Sequence, residues 1–206
     1  MTTLARTVVR LVPLAAALSI APVAGAGDLP RRGAAVPRGG AEEKSSVSLE
    51  DFVEALGPWG TWKAHPRWGK VWRPGVDAEW RPYLRGRWAQ TPEGWYWVSD
   101  EPWAWATYHF GRWFLEPLAG WTWVPGRRWA PSWVQWREGE ALLGWAPLPP
   151  EGTAFGTSYT FVPRARVEGP AEQAAIPPTK LALALRDTKP IRAPARPQRV
   201  AVARER

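Results

Sequence analysis

The chain contains no cysteine. That absence excludes a disulfide framework, a thiolate metal site, a cysteine nucleophile and any lipid attached through sulfur. Histidine is nearly as scarce, since His65 and His109 are the only two, and imidazole and thiolate therefore supply no zinc cluster of recognisable spacing. There is no Gly-x-Ser-x-Gly elbow and no glycine-rich phosphate loop. After residue 26 no apolar run is long enough to span a bilayer as a helix. These gaps leave little room for the common catalytic machineries and direct attention to what is abundant.

Three residue types are in excess: 17 tryptophans, 23 prolines and 19 glycines among 206 residues. Proline and glycine interrupt regular elements, which favours one domain with tails over a single large core. The first residues account for part of the length. Arg6 and Arg10 precede the apolar stretch LVPLAAALSIAPVAGA, which ends in Ala24-Gly25-Ala26. A basic start, an apolar middle and a small-residue site read as a signal peptide over 1–26, with a periplasmic or secreted destination expected. An uncleaved anchor is the alternative, and Pro13 and Pro22 interrupt it. Residues 27–47 are small, polar and without period, as expected of a flexible leader. The net charge is +8, and residues 166–206 are basic and proline-punctuated. They read as a mostly disordered tail that an anionic surface would attract.

Between leader and tail the pattern is regular. Ser48 is followed three residues later by Asp51, with Leu49, Phe52, Val53 and Leu56 on one side, so residues 48–57 predict a short capped helix that stops at Gly57. All the tryptophans then fall between Trp59 and Trp145. A motif of Gly-x-Trp, a gap and a closing Trp runs from Gly60 to Trp72, Gly86 to Trp97 and Gly111 to Trp123, with a degenerate copy from Trp136 to Trp145. Within the copies the two tryptophans are 10, 9, 10 and 9 residues apart. Such intervals indicate an internal duplication.

Bulky residues alternate around each tryptophan, as in Trp95/Trp97, Trp103/Trp105 and Trp121/Trp123, and turn-forming segments such as Thr91-Pro92-Glu93-Gly94 and Glu116-Pro117-Leu118-Ala119-Gly120 separate them. The expected fold of residues 58–165 is mainly β, an antiparallel meander of about four tryptophan-rich hairpins, barrel-like or nearly closed, behind the short N-terminal helix. "SYTFVP" (158–163) would add a strand, and "KLALALR" (180–186) fits either a strand or a half-turn of helix.

So many indoles have two uses. Most would be core material for a module without disulfides, since each removes about 150–250 Å² from water. A subset could form an exposed platform for sugar rings, with Trp95, Trp97, Trp103, Trp105, Trp121 and Trp123 as candidates, Arg87, Arg112, Arg127 and His109 as supporting residues and Arg128 as a further cation–π partner. No metal, cofactor or catalytic residue is expected. Asp100-Glu101 and Asp77/Glu79 could imitate a glycosidase pair, but adjacent acids in a turn are more commonly solvated or capping. No nucleic-acid partner is expected, because charge in the tryptophan-rich part is nearly balanced. The expected partner is an envelope polymer or an envelope protein.

Longer phrases carry a resemblance. Trp68-Gly69-Lys70-Val71-Trp72, the stretch from Trp80 to Trp88, and GWYWVSDEPWAWATYHFGRW, GWTWVPGRRWAPSWVQWR and GWAPLPP resemble the tryptophan-rich exported proteins of Gram-negative bacteria grouped as the DUF6600 family, over about residues 50–165. Where similar proteins have Trp-Gly-Trp this chain has Trp103-Ala104-Trp105, a mild departure. The resemblance implies export and implies no substrate, cofactor or catalytic residue. Together these readings lead to the expectation of an exported, non-catalytic envelope module with a structural or protein-interaction role; the alternatives are a glycan-binding module and an envelope polysaccharide hydrolase.

Overall fold

Ser48 opens the fold by the predicted device. Its hydroxyl accepts from the Asp51 amide at 3.2 Å while the Asp51 carboxylate accepts from the Ser48 amide at 2.8 Å, a reciprocal cap on helix α1 (Leu49–Leu56). A 3₁₀ turn over Gly57–Trp59 then leads into the sheets. The computed structural model describes residues 47–195. The expected signal peptide, the leader up to residue 46 and the tail beyond residue 195 lie outside the described residues.

Four antiparallel hairpins follow. They are β1 (Gly60–His65) with β2 (Gly69–Pro74), β3 (Arg87–Thr91) with β4 (Gly94–Val98), β5 (Arg112–Glu116) with β6 (Gly120–Val124), and β7 (Val134–Glu138) with β8 (Leu142–Pro147). In each hairpin the first and last tryptophans of the motif face one another across the ladder: Trp62 with Trp72, Trp88 with Trp97, Trp113 with Trp123, and Trp136 with Trp145. The spacing of 10 or 9 residues is thus set by the loop. His65 pairs with Gly69 and Glu116 with Gly120, whereas Thr91 pairs with Gly94, one residue closer. Gly69 and Gly120 close the longer loops at φ of 69° and 78°, the left-handed conformation that three-residue hairpin loops require.

The motif glycines have a steric role. A Cβ on Gly60, Gly86 or Gly111 would lie 2.7 Å from the indole of Trp72, Trp97 or Trp123, the closing tryptophan of its own hairpin. The indole lies over the bare Cα, so Gly-x-Trp…Trp describes one packing unit.

The hairpins do not form a barrel or a continuous meander, which corrects the expectation of closure. One sheet has the order β1-β2-β6-β5, a second has β10-β7-β8-β9 with β9 at Thr160–Pro163 and β10 at Lys189–Ile191, and β3-β4 stands as a two-stranded ribbon. The break has a local cause. The segment after β4 is not a strand but helix α2 (Ala104–Thr107), entered just after Pro102. The Trp103/Trp105 alternation, read as one face of a strand, becomes a helical turn with Trp103 buried and Trp105 45% exposed. This detour sets β6 beside β2, where Trp72 pairs with Trp123. Trp62, Trp72, Trp123 and Trp113 thereby form one rung across the first sheet.

The β3-β4 ribbon packs through side chains against the second sheet. The Trp88 ring centre is 4.5 Å from that of Trp136 and 5.5 Å from that of Trp145. Trp72, Trp80, Trp88, Trp95, Trp97, Trp103, Trp113, Trp123, Trp136 and Trp145 are all buried. Several indole N–H groups find backbone acceptors: Trp72 donates to Leu56, Trp113 to Thr107, Trp123 to Phe110 and Trp145 to Tyr83, at 2.8–3.1 Å. Those of Trp62, Trp88, Trp97 and Trp103 are buried without a partner among the described residues.

"SYTFVP" supplies β9 (Thr160–Pro163), which extends the second sheet beside β8. Downstream, α3 (Ala171–Ala174), α4 (Leu181–Arg186, within "KLALALR") and β10 (Lys189–Ile191) show that the described part of the expected tail carries regular structure. Arg137 of β7 holds it in place, donating from Nε to Thr188 Oγ1 at 3.0 Å and from Nη2 to the carbonyls of Leu185, at 2.8 Å, and Thr188. Composition alone misses this, because the anchoring donor lies fifty residues upstream.

Candidate functional site

The six tryptophans considered as a platform do not share an exposed face. Trp95 and Trp97 are inside, against Trp136 and Tyr83. Trp103 lies among Trp59, Trp72 and Trp80, and Trp123 stands edge-on to Phe52. Trp121 is half-buried, and Trp105, the one exposed member, stacks on Phe52 at 5.9 Å. For Trp95 and Trp97, period 2 identified residues that share a face, and the packing made that face the inner one, whereas Trp103 and Trp105 part company on a helical turn.

The supporting residues separate as well. Arg87 is exposed. Arg127 borders a groove of about 230 Å³ with Leu49, Phe52, Trp68, Lys70 and Pro125. Arg112 and His109 come together at a different place, against Trp133 and Trp129 near the end of the segment 125–133 that links β6 to β7. Sequence reasoning did not single out Trp129 or Trp133 there. The available signal was that Trp129 and Trp133 fall between the third and fourth hairpins, so the hairpin motif does not account for them.

This segment is held from several sides. The Trp97 amide donates to the Pro131 carbonyl at 3.2 Å, Ser132 Oγ to the Trp95 carbonyl at 3.0 Å, and the Trp133 amide to the Tyr83 hydroxyl at 3.0 Å. The His109 carbonyl accepts from both the Ala130 amide and Trp133 Nε1, each at 3.0 Å. The His109 ring lies between Tyr96 (4.3 Å) and Trp129 (6.1 Å), tilted by 22° and 25° from them. Its Nδ1 is 3.2 Å from the Ala130 carbonyl, which fixes the proton on that nitrogen. Burial lowers its pKa below the usual histidine value, so the ring is neutral at pH 7. Over Trp133, the Arg112 guanidinium lies 3.3 Å and that of Arg128 5.4 Å from the ring centre.

The acids of the two candidate pairs sit in different surroundings. Asp77 is ion-paired with Arg85 at 2.9 Å, and Glu79 and Asp100 are exposed. Glu101 accepts from Trp80 Nε1 at 2.6 Å and from the Tyr108 hydroxyl, and burial raises its pKa above the ordinary carboxylate value. Among the described residues no group of three His, Cys, Asp or Glu side chains could hold a metal ion.

Residues 53–152 match the model of a family of unknown function, DUF6600. The matched span runs from within α1 to just beyond β8 and contains all four hairpins together with segment 125–133. No curated protein and no solved structure matches the chain.

Proposed function

We propose that the chain is an exported, non-catalytic module of the cell envelope with a structural or protein-interaction role. The observation that carries this reading is that its chemically capable side chains are committed to holding the fold. Glu101 is bound by Trp80 and Tyr108, and His109 is enclosed between aromatic rings. His65 Nδ1 accepts from the amides of Arg67 and Trp68 within its own hairpin loop. Most of the indoles are engaged in the same way, as buried rungs and ring stacks. Export is supported by the basic, apolar and small-residue pattern of residues 1–26. Among the described residues no helix is long and apolar enough to cross a membrane.

Fusing residues 1–46 to a phosphatase reporter that is active only outside the cytoplasm tests export, and an inactive but stable fusion would refute it. In a strain lacking the protein, a folded Glu101→Gln variant should restore the envelope phenotype as fully as the native chain does. Failure to restore it would revive the hydrolase reading.

A further inference from the structure

At segment 125–133 two guanidinium groups lie against one indole, Arg112 reaching it from β5. Arg112 and Arg128 both lie over Trp133, and neither forms an ion pair among the described residues. Arg112 is also half-buried, and its pKa is lowered first by that burial and further by Arg128. Two like charges so placed repel one another, and an anion lying against both would remove that cost. Beside them Trp129 is 43% exposed and its indole stacks on the His109 ring. The backbone hydrogen bonds of the segment fix both indoles before any ligand arrives, which lowers the ordering cost of binding.

We infer that Trp129, Trp133, Arg112 and Arg128 form a binding site for the uronate residue of an acidic polysaccharide. A uronate combines what the site offers separately: an apolar ring face for Trp129 and a carboxylate at the ring edge for the arginine pair. Guanidinium groups match a carboxylate with paired, charge-assisted hydrogen bonds. A nucleic-acid strand would call for successive stacking positions along a positive groove. Here the other two exposed indoles, Trp59 and Trp105, contact Trp103 and Phe52 instead. The inference goes beyond the envelope role, which stands or falls with the export and complementation tests above.

The test is titration of the full chain with oligogalacturonate, a neutral hexose oligomer of equal length and an oligothymidylate, followed by calorimetry. Oligogalacturonate should bind at least about tenfold more tightly than the neutral oligomer, a difference of about 1.4 kcal/mol. Trp129→Ala and Arg128→Gln should each weaken it by about tenfold or more, and Arg128→Gln should also lessen its salt dependence. Trp105→Ala, at an exposed indole elsewhere, should leave binding unchanged. Both site variants alter exposed side chains, and unchanged denaturation midpoints would confirm that they fold. Equal affinity for acidic and neutral oligomers, no binding at millimolar oligogalacturonate, tighter binding of the oligothymidylate, or full binding by Trp129→Ala would each overturn the assignment.

Discussion

Replacing Gly86 with alanine adds one methyl group at the position the hairpins repeat most faithfully. A Cβ there would strike the Val98 carbonyl oxygen and lie 2.7 Å from Cζ2 of Trp97, whereas carbon atoms pack comfortably at about 3.5–4.0 Å. Neither neighbour yields easily. Val98 is ladder backbone paired with Arg87, and Trp97 is held among Trp88, Tyr83 and Trp145. Relief therefore requires β3 and β4 to move apart, and overpacking of this kind costs about 1–3 kcal/mol. Because backbone and a buried indole are both involved, the upper half of that range is expected. Gly57→Ala is the control: nothing lies within 4 Å of its Cβ and φ is already −52°. Alanine there should stabilise by about 0.4–1 kcal/mol through the unfolded chain. Urea unfolding followed by tryptophan fluorescence measures both, with equal m-values as the check that the two states are unchanged. A Gly86→Ala cost below about 0.5 kcal/mol would refute the indole-over-glycine account, because overpacking would then be absent. Gly111→Ala should cost more than Gly86→Ala, since φ there is +63° and backbone strain adds about 1 kcal/mol or more.

Trp145→Phe should destabilise more than Trp88→Phe, by about 1–2 kcal/mol, because the first removes the donor to the Tyr83 carbonyl whereas the second removes a buried N–H without a partner; equal denaturation midpoints would contradict the hydrogen-bond assignment. Burial raises the folded pKa of Glu101 above 4.5, so its contribution to stability is present below pH 4.5 and is lost as pH rises through the folded value. Glu101→Gln should flatten that fall in denaturation midpoint against pH, while leaving the opposite effect of His109, whose lowered pKa makes stability decline as pH drops below 6.5. Arg137→Ala removes the donors to Leu185 and Thr188. Limited proteolysis should then cut first between residues 176 and 195, and an unchanged cleavage pattern would show that the other ties of this stretch, β10 pairing and the Trp95–Pro194 hydrogen bond among them, hold it without Arg137.

The parts of the fold legible in the sequence were those encoded by near neighbours. Ser48 and Asp51 predicted the cap, and the turn segments predicted hairpins whose motif tryptophans face each other. What decides the neighbours of each hairpin is not local. The Trp103-Ala104-Trp105-Ala106 stretch satisfies a strand pattern and a helical turn equally, and Pro102 and the surrounding core favour the turn. Alternation likewise cannot say which face turns inward, so Trp95, Trp97 and Trp123 could be read as a platform although they are core. His109 was legible from its aromatic flanks and Arg112 and Arg128 as cation–π candidates, but Trp129 and Trp133 gain meaning only from the packing of segment 125–133 against His109.

The loop lengths have a further consequence for how such a module can diverge. Two copies enclose three residues between paired ends and one encloses two, yet their tryptophans still meet, because the added residue lies outside the ladder. An insertion within a strand would turn every following side chain over, whereas one at the tip changes only the tip. A unit of this kind can be copied and its tips rewritten without disturbing the paired indoles, which makes the hairpin ends and the connecting segments, rather than the strands, the places where one copy can acquire a property that its siblings lack.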